Sequence, residues 1–501
     1  MIKLLARIEK SKTFWVLFVI SVLFFILRFP SIIEPDWYGD EGIYQIIGMA
    51  INHGFSLYSQ IWDNKPPLLY LIYAFFNGDH FAVRTASLFI GIFTTWLFFF
   101  FTRTFFKNLK TSIISTTVFA ILLATPLIEG NIANAENFMF LPILAAGLLI
   151  YKLSLAKTKT QNKPVLFAAG IILGVAFLLK IVALFDFAAF LTFLLILAIP
   201  EKNQIKFSQI KSLFTYFYKN LLLFIVGFIL PILITCIYFA ATNSLNDFIT
   251  AVFLNNVGYV NYGNKLFIPQ GFLILKLILL AIVITFVTLK RKSLSTPALF
   301  IFVWLAFSLF NAFFSQRPYT HYVLVVLSSL CLLLGLIINE KVLNTKRNLI
   351  IIFLGVVLII LTNFNLYGFY KTLFYYQNAF LFINGKKDLI SYQSFFDRET
   401  PGDYEIAAFI KTHTKPNDKI FIWGDSPQIY VLSKTLPINK YTAAYHINQN
   451  KNSFAVTQKA LNTIKPKYVI LLSDAPNFSF KLDQYINKFS INRAVIYERN
   501  F

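Results

Sequence analysis

Long apolar runs alternate along the chain with short polar breaks, and a helix needs roughly 20 predominantly apolar residues to cross a bilayer. About eleven segments approach that description, near 13–33, 82–102, 111–128, 137–151, 165–181, 183–199, 221–241, 271–289, 297–315, 321–338 and 349–365. Several are shorter than ~20 residues, and 165–181 with 183–199 also fits one helical hairpin. The pattern predicts a polytopic α-helical membrane region over 1–365.

Beyond 366 the pattern changes. Gly, Pro, Asp and Lys return, and short β-rich runs at 419–423, 467–472 and 493–497 alternate with helix-like stretches at 403–413, 426–433, 453–464 and 481–488. That alternation predicts a small α/β domain over 366–501.

Composition agrees with a membrane scaffold. Of 501 residues, 57% are hydrophobic and only 14% charged, against about 45–50% and about 25% in soluble domains. The net charge of +22, from 45 Lys and Arg against 23 Asp and Glu, raises the question of a nucleic-acid partner. The positions of the cations answer it. Lys3, Arg7, Lys10 and Lys12, then Arg103, Lys107 and Lys110, then Lys290, Arg291 and Lys292 mark one set of alternating loops. The opposite loops are poor in them, so the positive-inside rule predicts a cytoplasmic N-terminus and, after an odd number of crossings, an extracytoplasmic C-terminal domain. The expected partner is the bilayer of the cell membrane, with no nucleic acid. The first span has a basic flank but continues into Arg28-Phe29-Pro30 rather than a small-residue cleavage site, so it is expected to remain as a signal anchor. Cys236 and Cys331 lie far apart in apolar runs and compose neither a disulfide framework nor a metal motif. No Gly-x-x-x-x-Gly-Lys loop or dinucleotide fingerprint is present.

Against this background the first external loop, 34–80, stands out. It reads Glu34-Pro-Asp36-Trp-Tyr-Gly-Asp40-Glu41-Gly-Ile-Tyr44 and, further on, Trp62-Asp63-Asn64-Lys65-Pro66-Pro67-Leu68. Acids at the exit of a membrane span are costly unless they face water, a cation or a substrate. Simple solvation of the loop is the plainer alternative, and it fits Glu34 and Asp36 best. Asp40-Glu41, flanked by Gly39 and Gly42, is the sharper catalytic candidate. Lys65 precedes two prolines that fix an extended segment, which suits a lysine held at a lipid phosphate as well as a snorkelling one.

An Asp-Glu pair after the first span, a following Tyr, and a downstream Lys-Pro-Pro-Leu resemble the GT-C glycosyltransferases of the protein O-mannosyltransferase and aminoarabinose-transferase type, including Rgt-like bacterial members. Arg84, Asn134-Ala-Glu136-Asn137-Phe138, the stretch from Gly174 to Lys180, and His321-Tyr322 extend the resemblance. It implies roughly a dozen transmembrane helices with an external domain, and an inverting reaction on a polyprenyl-phosphate sugar. It also implies that Asp40 is the catalytic aspartate with Glu41 its neighbour, that Lys65 contacts the donor phosphate, and that Glu136 is an external-loop acid of the site. Asn64 departs from the pattern: aminoarabinose transferases carry Glu there, and Asp63 stands one position earlier. The sugar and any divalent metal built on that Glu stay open.

Displacing a polyprenyl phosphate needs a base for the acceptor hydroxyl and cations for the departing phosphate, but no second carboxylate of the glycosidase kind. Asp40 fits the base, and Lys65 and Arg317 fit the phosphate. Arg317 equally fits a helix-end anchor, Lys180 a snorkelling lysine, and His321 either a metal ligand or a hydrogen-bonding residue; Asp63 and Tyr322 complete the candidate substrate contacts. Asn255, Asn256, Tyr259, Asn261 and Tyr262 suit sugar stacking or an interfacial aromatic belt. The turn Trp423-Gly-Asp-Ser-Pro-Gln428 reads as an ordinary strand-to-helix connection. The function expected is transfer of a sugar from a polyprenyl-phosphate donor to a lipid, glycan or protein hydroxyl on the outer face of the membrane, with no other certain cofactor. The alternative is a transporter or flippase of lipid-linked saccharides, for which midplane charges and repeated halves would be the signature.

Overall fold

The computed structural model describes residues 11–155, 163–199, 221–256, 271–314, 319–364, 369–415, 418–450, 452–473 and 475–500. Each of the eleven apolar segments is mainly helical over its described residues. Seven helices, Lys12–Ile32, His80–Phe106, Ala135–Leu155, Ile181–Ala198, Leu222–Ala241, Thr320–Asn339 and Leu343–Asn363, are long and apolar enough to cross a membrane. Leu109–Ala124, Lys163–Leu179 and Thr296–Ala312 are apolar but shorter. The protein is a multi-pass membrane protein.

The chain divides into two compact units. The first, Met1–Phe29, Ala86–Ile237 and Val257–Leu373, is helical over its described residues. Water cannot drive helix association inside lipid, so close backbone approach at small residues does much of the work. Helices Lys163–Leu179 and Leu222–Ala241 meet in this way: a Cβ on Gly174 would lie 3.0 Å from the Pro231 ring, and Gly227 lies against the Phe167 carbonyl. Phe98 stacks on Phe119 at 4.2 Å and Phe187 on Phe228 at 4.1 Å, filling the interior. Outward positions such as Ile234, Ile282 and Phe286 are exposed and apolar, as lipid-facing positions must be.

The second unit gathers Pro30–Thr85, Tyr238–Asn256 and Phe374–Phe501. Its centre is a four-stranded sheet of β1 (Ile420–Trp423), β2 (Tyr468–Leu472), β3 (Tyr485–Ile491) and β4 (Ala494–Arg499), in the order β1-β2-β4-β3. β1 and β2 are parallel, with Ile420 opposite Tyr468; β4 pairs antiparallel with both β2 and β3. Every residue of β1 is buried, the mark of a strand covered on both faces.

Three of the four helices expected here form, as Thr400–His413, Gln428–Leu432 and Ser453–Ile464. The fourth, 481–488, does not. Its second half is strand β3, because Tyr485, Phe489 and Ile491 pair with β4 across a two-residue connection in which Asn492 adopts φ 47°. A register shift between Asn487 and Phe489 breaks the alternation that would have revealed the strand.

The sheet's core also holds Ile46 and Met49, from the helix Gly39–Asn52 of the first loop. That helix packs on Gln428–Leu432 through Gly42, where a Cβ would come within 2.9 Å of the Gln428 backbone nitrogen. The Trp423–Gln428 turn therefore braces the first-loop helix.

Candidate active site

Asp40 and Glu41 open the helix Gly39–Asn52, where exposed N–H groups and the helix dipole favour negative charge. The two side chains nevertheless have different fates. Glu41 is buried and takes a bidentate grip from Arg84, with Nε donating to Oε1 at 3.0 Å and Nη2 to Oε2. The same guanidinium bonds Glu34 through Nη1 at 2.6 Å and the Ser31 carbonyl at 3.0 Å. Glu34 also accepts from the Tyr375 hydroxyl at 2.5 Å and the Trp37 indole at 3.1 Å. One buried cation thus holds two buried carboxylates, Glu41 through both arms of a fork and Glu34 through the remaining nitrogen, with hydrogen bonds from Tyr375 and Trp37 offsetting the second negative charge. Asp40, one residue before, is only half-buried, and the Tyr44 hydroxyl donates to its Oδ2 at 3.3 Å.

Asp36 is buried beside this clamp. Gln45 Nε2 donates to its Oδ1 at 3.2 Å, His80 Nδ1 lies 3.7 Å away, and the Tyr404 hydroxyl accepts from its backbone N–H at 2.8 Å. Burial, reinforced by the Glu41 charge and opposed by Gln45 and Arg84, pushes the Asp36 carboxyl up to about 7.

Lys65 is held by its backbone: its carbonyl accepts from Tyr58 at 2.8 Å and its N–H donates to the Tyr70 hydroxyl at 3.1 Å. Pro66 is extended and Pro67 opens the next helix, Pro67–Phe75. The ammonium lies 3.3 Å from Asp63 Oδ2 and 5.3 Å from the Tyr44 ring centroid. Asp63 is buried and also accepts from Tyr70 at 2.7 Å. Burial pushes its carboxyl up, but Lys65, His446, the Tyr70 hydroxyl and the Asn64 N–H outweigh burial and hold it below the usual range. His446 Nε2 lies 3.7 Å from Asp63 Oδ1, and burial pushes this imidazole down to about 4, so it is neutral near pH 7. Asn256 Nδ2 donates to the Asn64 carbonyl at 2.9 Å, and Asn255 bonds Asn450 at 3.2 Å. These two amides brace backbone and side chain within the unit; Tyr259, Asn261 and Tyr262 lie outside the described residues.

The first unit has a cluster of its own. Glu136, in the first turn of Ala135–Leu155, is buried and paired with Lys180, whose ammonium lies 5.2 Å from the Tyr322 ring centroid. His321 Nδ1 lies 3.0 Å from Glu129 Oε2, and Thr320 bonds the other Glu129 oxygen. Lys180, Glu136, Tyr322 and His321, widely spaced in sequence, thus come together around these contacts. Arg317 lies outside the described residues. Among the described residues, no three His, Cys, Asp or Glu side chains converge in a set that would hold a metal ion.

Sequence reasoning overlooked Glu129 and His446, and left Tyr70 and the whole partnership of Arg84 unassigned. Glu129 carries one local signal, a left-handed φ of 59° at the end of a short turn, which no sequence pattern announces. His446 reaches Asp63 from almost four hundred residues away, so only the fold could find it.

Residues 50–243 match the model of the dolichyl-phosphate-mannose-protein mannosyltransferase family. Among solved structures, the chain resembles ArnT from Cupriavidus metallidurans bound to undecaprenyl phosphate, at 14% identity and a TM-score of 0.59 over 97% of this chain and 98% of that one. The apo form of the same protein gives 14% and 0.57 over the same shares. The oligosaccharyltransferase AglB of Archaeoglobus fulgidus, in complex with an inhibitory peptide and a dolichol-phosphate, gives 12% and 0.48 over 93% and 70%. No curated protein sequence matches the chain. Over nearly its whole length the chain has an ArnT-like fold, within which residues 50–243 carry the match to the mannosyltransferase family.

Proposed function

We propose that the protein is a membrane glycosyltransferase that moves a sugar from a polyprenyl-phosphate carrier to an acceptor hydroxyl on the outer face of the cell membrane, inverting the anomeric carbon. One observation carries the reading. Glu34, Asp36, Glu41 and Asp63 are buried and bound by partners, while Asp40, at the start of the same helix as Glu41, stays half-exposed beside Tyr44. The ArnT structure is bound to undecaprenyl phosphate, and the matched family takes its name from a dolichyl-phosphate sugar, which supports a lipid phosphate donor.

In this reading the acceptor oxygen attacks the anomeric carbon as its proton passes to Asp40. The bond from that carbon to the carrier oxygen breaks, and its electron pair leaves with the phosphate. Lys65 meets the charge that develops on the departing group, the kind of electrostatic support that acts most strongly out of bulk water. Asp63, Tyr70 and His446 hold Lys65 in position, and Glu41 with Arg84 fixes the start of the helix that carries Asp40. Lys180, supported by Glu136 and Tyr322, and His321 on Glu129 form a further anion and hydroxyl contact within the first unit; Arg317 is proposed as another phosphate contact. The donor carries its own leaving group, so these steps call for no further cofactor. The N-terminus faces the cytoplasm, as the loop cations suggest.

The test is transfer by the purified chain in lipid, with a panel of polyprenyl-phosphate sugars and a mixed lipid and glycan acceptor extract. Sugar transfer with inverted anomeric configuration, abolished in Asp40→Asn, is the expected result. Movement of the labelled donor between leaflets without any transfer would replace this reading by the flippase.

A further inference from the structure

The helix Phe369–Ile383 has its apolar side on the wrong face for a water-soluble surface. Thr372, Tyr375, Asn378 and Ala379 are buried, whereas Leu373, Phe374, Phe380 and Ile383 are exposed, Phe380 by 63%. Leu389 and Ile390, on the short helix Leu389–Ser394 that follows, extend the same apolar exposure, Ile390 to 66%. The inward side is polar and firmly engaged. Tyr375 donates to Glu34 at 2.5 Å, Asn378 donates to the Tyr392 carbonyl at 3.3 Å and accepts from Lys387, and Tyr392 stacks on Phe382 at 4.0 Å. A helix with that many polar contacts on its inner side cannot rotate to bury the outer one.

At 15 residues the helix is too short to span a bilayer, which takes roughly 20. Its start follows the end of the candidate span Leu343–Asn363 by six residues, a reach of about 20 Å at most. Tyr370, Leu373, Phe374, Phe380 and Ile383 place apolar side chains at both ends of this face, with the exposed Gln377 between them, so the face can be engaged lengthwise. Lys371 and Lys386 are exposed near the two ends. Apolar face, flanking cations and attachment to a membrane span together describe a helix lying in the interface plane.

We infer that the exposed face of Phe369–Ile383, continued by Leu389 and Ile390, rests in the boundary between lipid headgroups and acyl chains, with Lys371 and Lys386 at anionic headgroups. Through Tyr375 and Glu34, this seat also fixes the Arg84 clamp next to Asp40, within the second unit, with respect to the lipid surface. The inference stands apart from the proposed reaction and would hold for a flippase as well.

The test uses the full chain in nanodiscs of phosphatidylcholine with and without phosphatidylglycerol. Nitroxide labels at Phe374→Cys, Phe380→Cys and Ile390→Cys, in a background lacking Cys236 and Cys331, should collide with oxygen more than with a water-soluble nickel chelate, opposite to a label at Lys411→Cys. Phosphatidylglycerol should deepen the difference, and Lys371→Gln with Lys386→Gln should remove that dependence. Unsubstituted protein gives a second readout: hydroxyl radicals formed in water should modify Phe374 and Phe380 several-fold less than the exposed Phe454. Nickel access equal to that at Lys411 would overturn the inference by putting the face in water. Immobile labels shielded from both reagents would overturn it in favour of a protein covering the face.

Discussion

Two lysines in this protein have nearly the same surroundings and differ in one respect. Lys65 in the second unit pairs with a buried aspartate and lies 5.3 Å from the ring of Tyr44; Lys180 in the first unit pairs with a buried glutamate and lies 5.2 Å from the ring of Tyr322. Both lysine side chains keep modest exposure, 20% and 15%. The tyrosine beside Lys65, however, also donates to Asp40, a half-exposed carboxylate for which no salt bridge is found among the described residues. Around Lys180 the carboxylates Glu136 and Glu129 are taken up by Lys180 itself and by His321 and Thr320. Under the proposed function these similar cation sites would serve different ends: anion contact alone at Lys180, and anion contact beside a base at Lys65.

The comparison is broken most directly at the two acids. Asp40→Asn should lower the transfer rate by about 10²- to 10⁴-fold, the range for loss of a general base, with donor KM little changed. Glu136→Gln should act mainly through donor KM and stability. Equal losses of turnover in the two variants would erase the distinction.

The lysines come next. Lys65→Ala should raise donor KM by about 10- to 100-fold, matching the ~1.5–3 kcal/mol of a charged hydrogen bond, and Lys65→Arg should recover part of it. Lys180→Ala should raise donor KM less than Lys65→Ala does. A larger effect at Lys180, read from steady-state kinetics on one donor, would move the main phosphate contact to the first unit.

A smaller effect is expected at Tyr44→Phe, which removes the hydroxyl that orients Asp40 but leaves the ring beside Lys65. Loss of one hydrogen bond, ~1 kcal/mol, corresponds to about a 5-fold fall in turnover with donor KM unchanged. A change in KM alone would mean that Tyr44 serves the lysine instead.

The smallest is a pH effect confined to the second unit. The Asp36 carboxyl is raised to about 7 by burial, so the folded protein holds its proton where the unfolded chain, near 3.8, has released it. The stability this proton adds is complete below pH 4 and lost as pH rises through 7. Neutral burial of His446, lowered to about 4, works in the opposite sense between pH 4 and 6.5, so the informative quantity is the difference between proteins. Asp36→Asn should gain a few degrees in melting midpoint relative to wild type as pH goes from 5 to 8. A constant difference across that range would mean that Asp36 does not exchange its proton on folding.

How much of this could be read beforehand depends on whether the cause is local. The apolar runs, the Lys-Pro-Pro turn and the strands Ile420–Trp423, Tyr468–Leu472 and Ala494–Arg499 are stated by neighbouring residues, through hydropathy, fixed proline angles and β-branched content. Strand Tyr485–Ile491 was hidden because a bulge interrupts its alternation. Asp40 and Glu41 look equivalent in sequence, and nothing nearby says that Arg84, forty-three positions on, selects Glu41.

By itself the sequence determined that the chain must live in a bilayer, since no folded form in water could bury so much apolar surface, and it marked the acid-rich first loop against a scaffold nearly devoid of acids. Only the tertiary structure decided which of those acids are buried with partners and which keep exposure, and that the first-loop helix shares its core with the terminal sheet. The physical reason is range. Hydropathy and backbone preference act over a few residues, whereas pairing a buried charge requires a partner of opposite sign within hydrogen-bond reach, and only the fold brings Arg84, Tyr375 and His446 there.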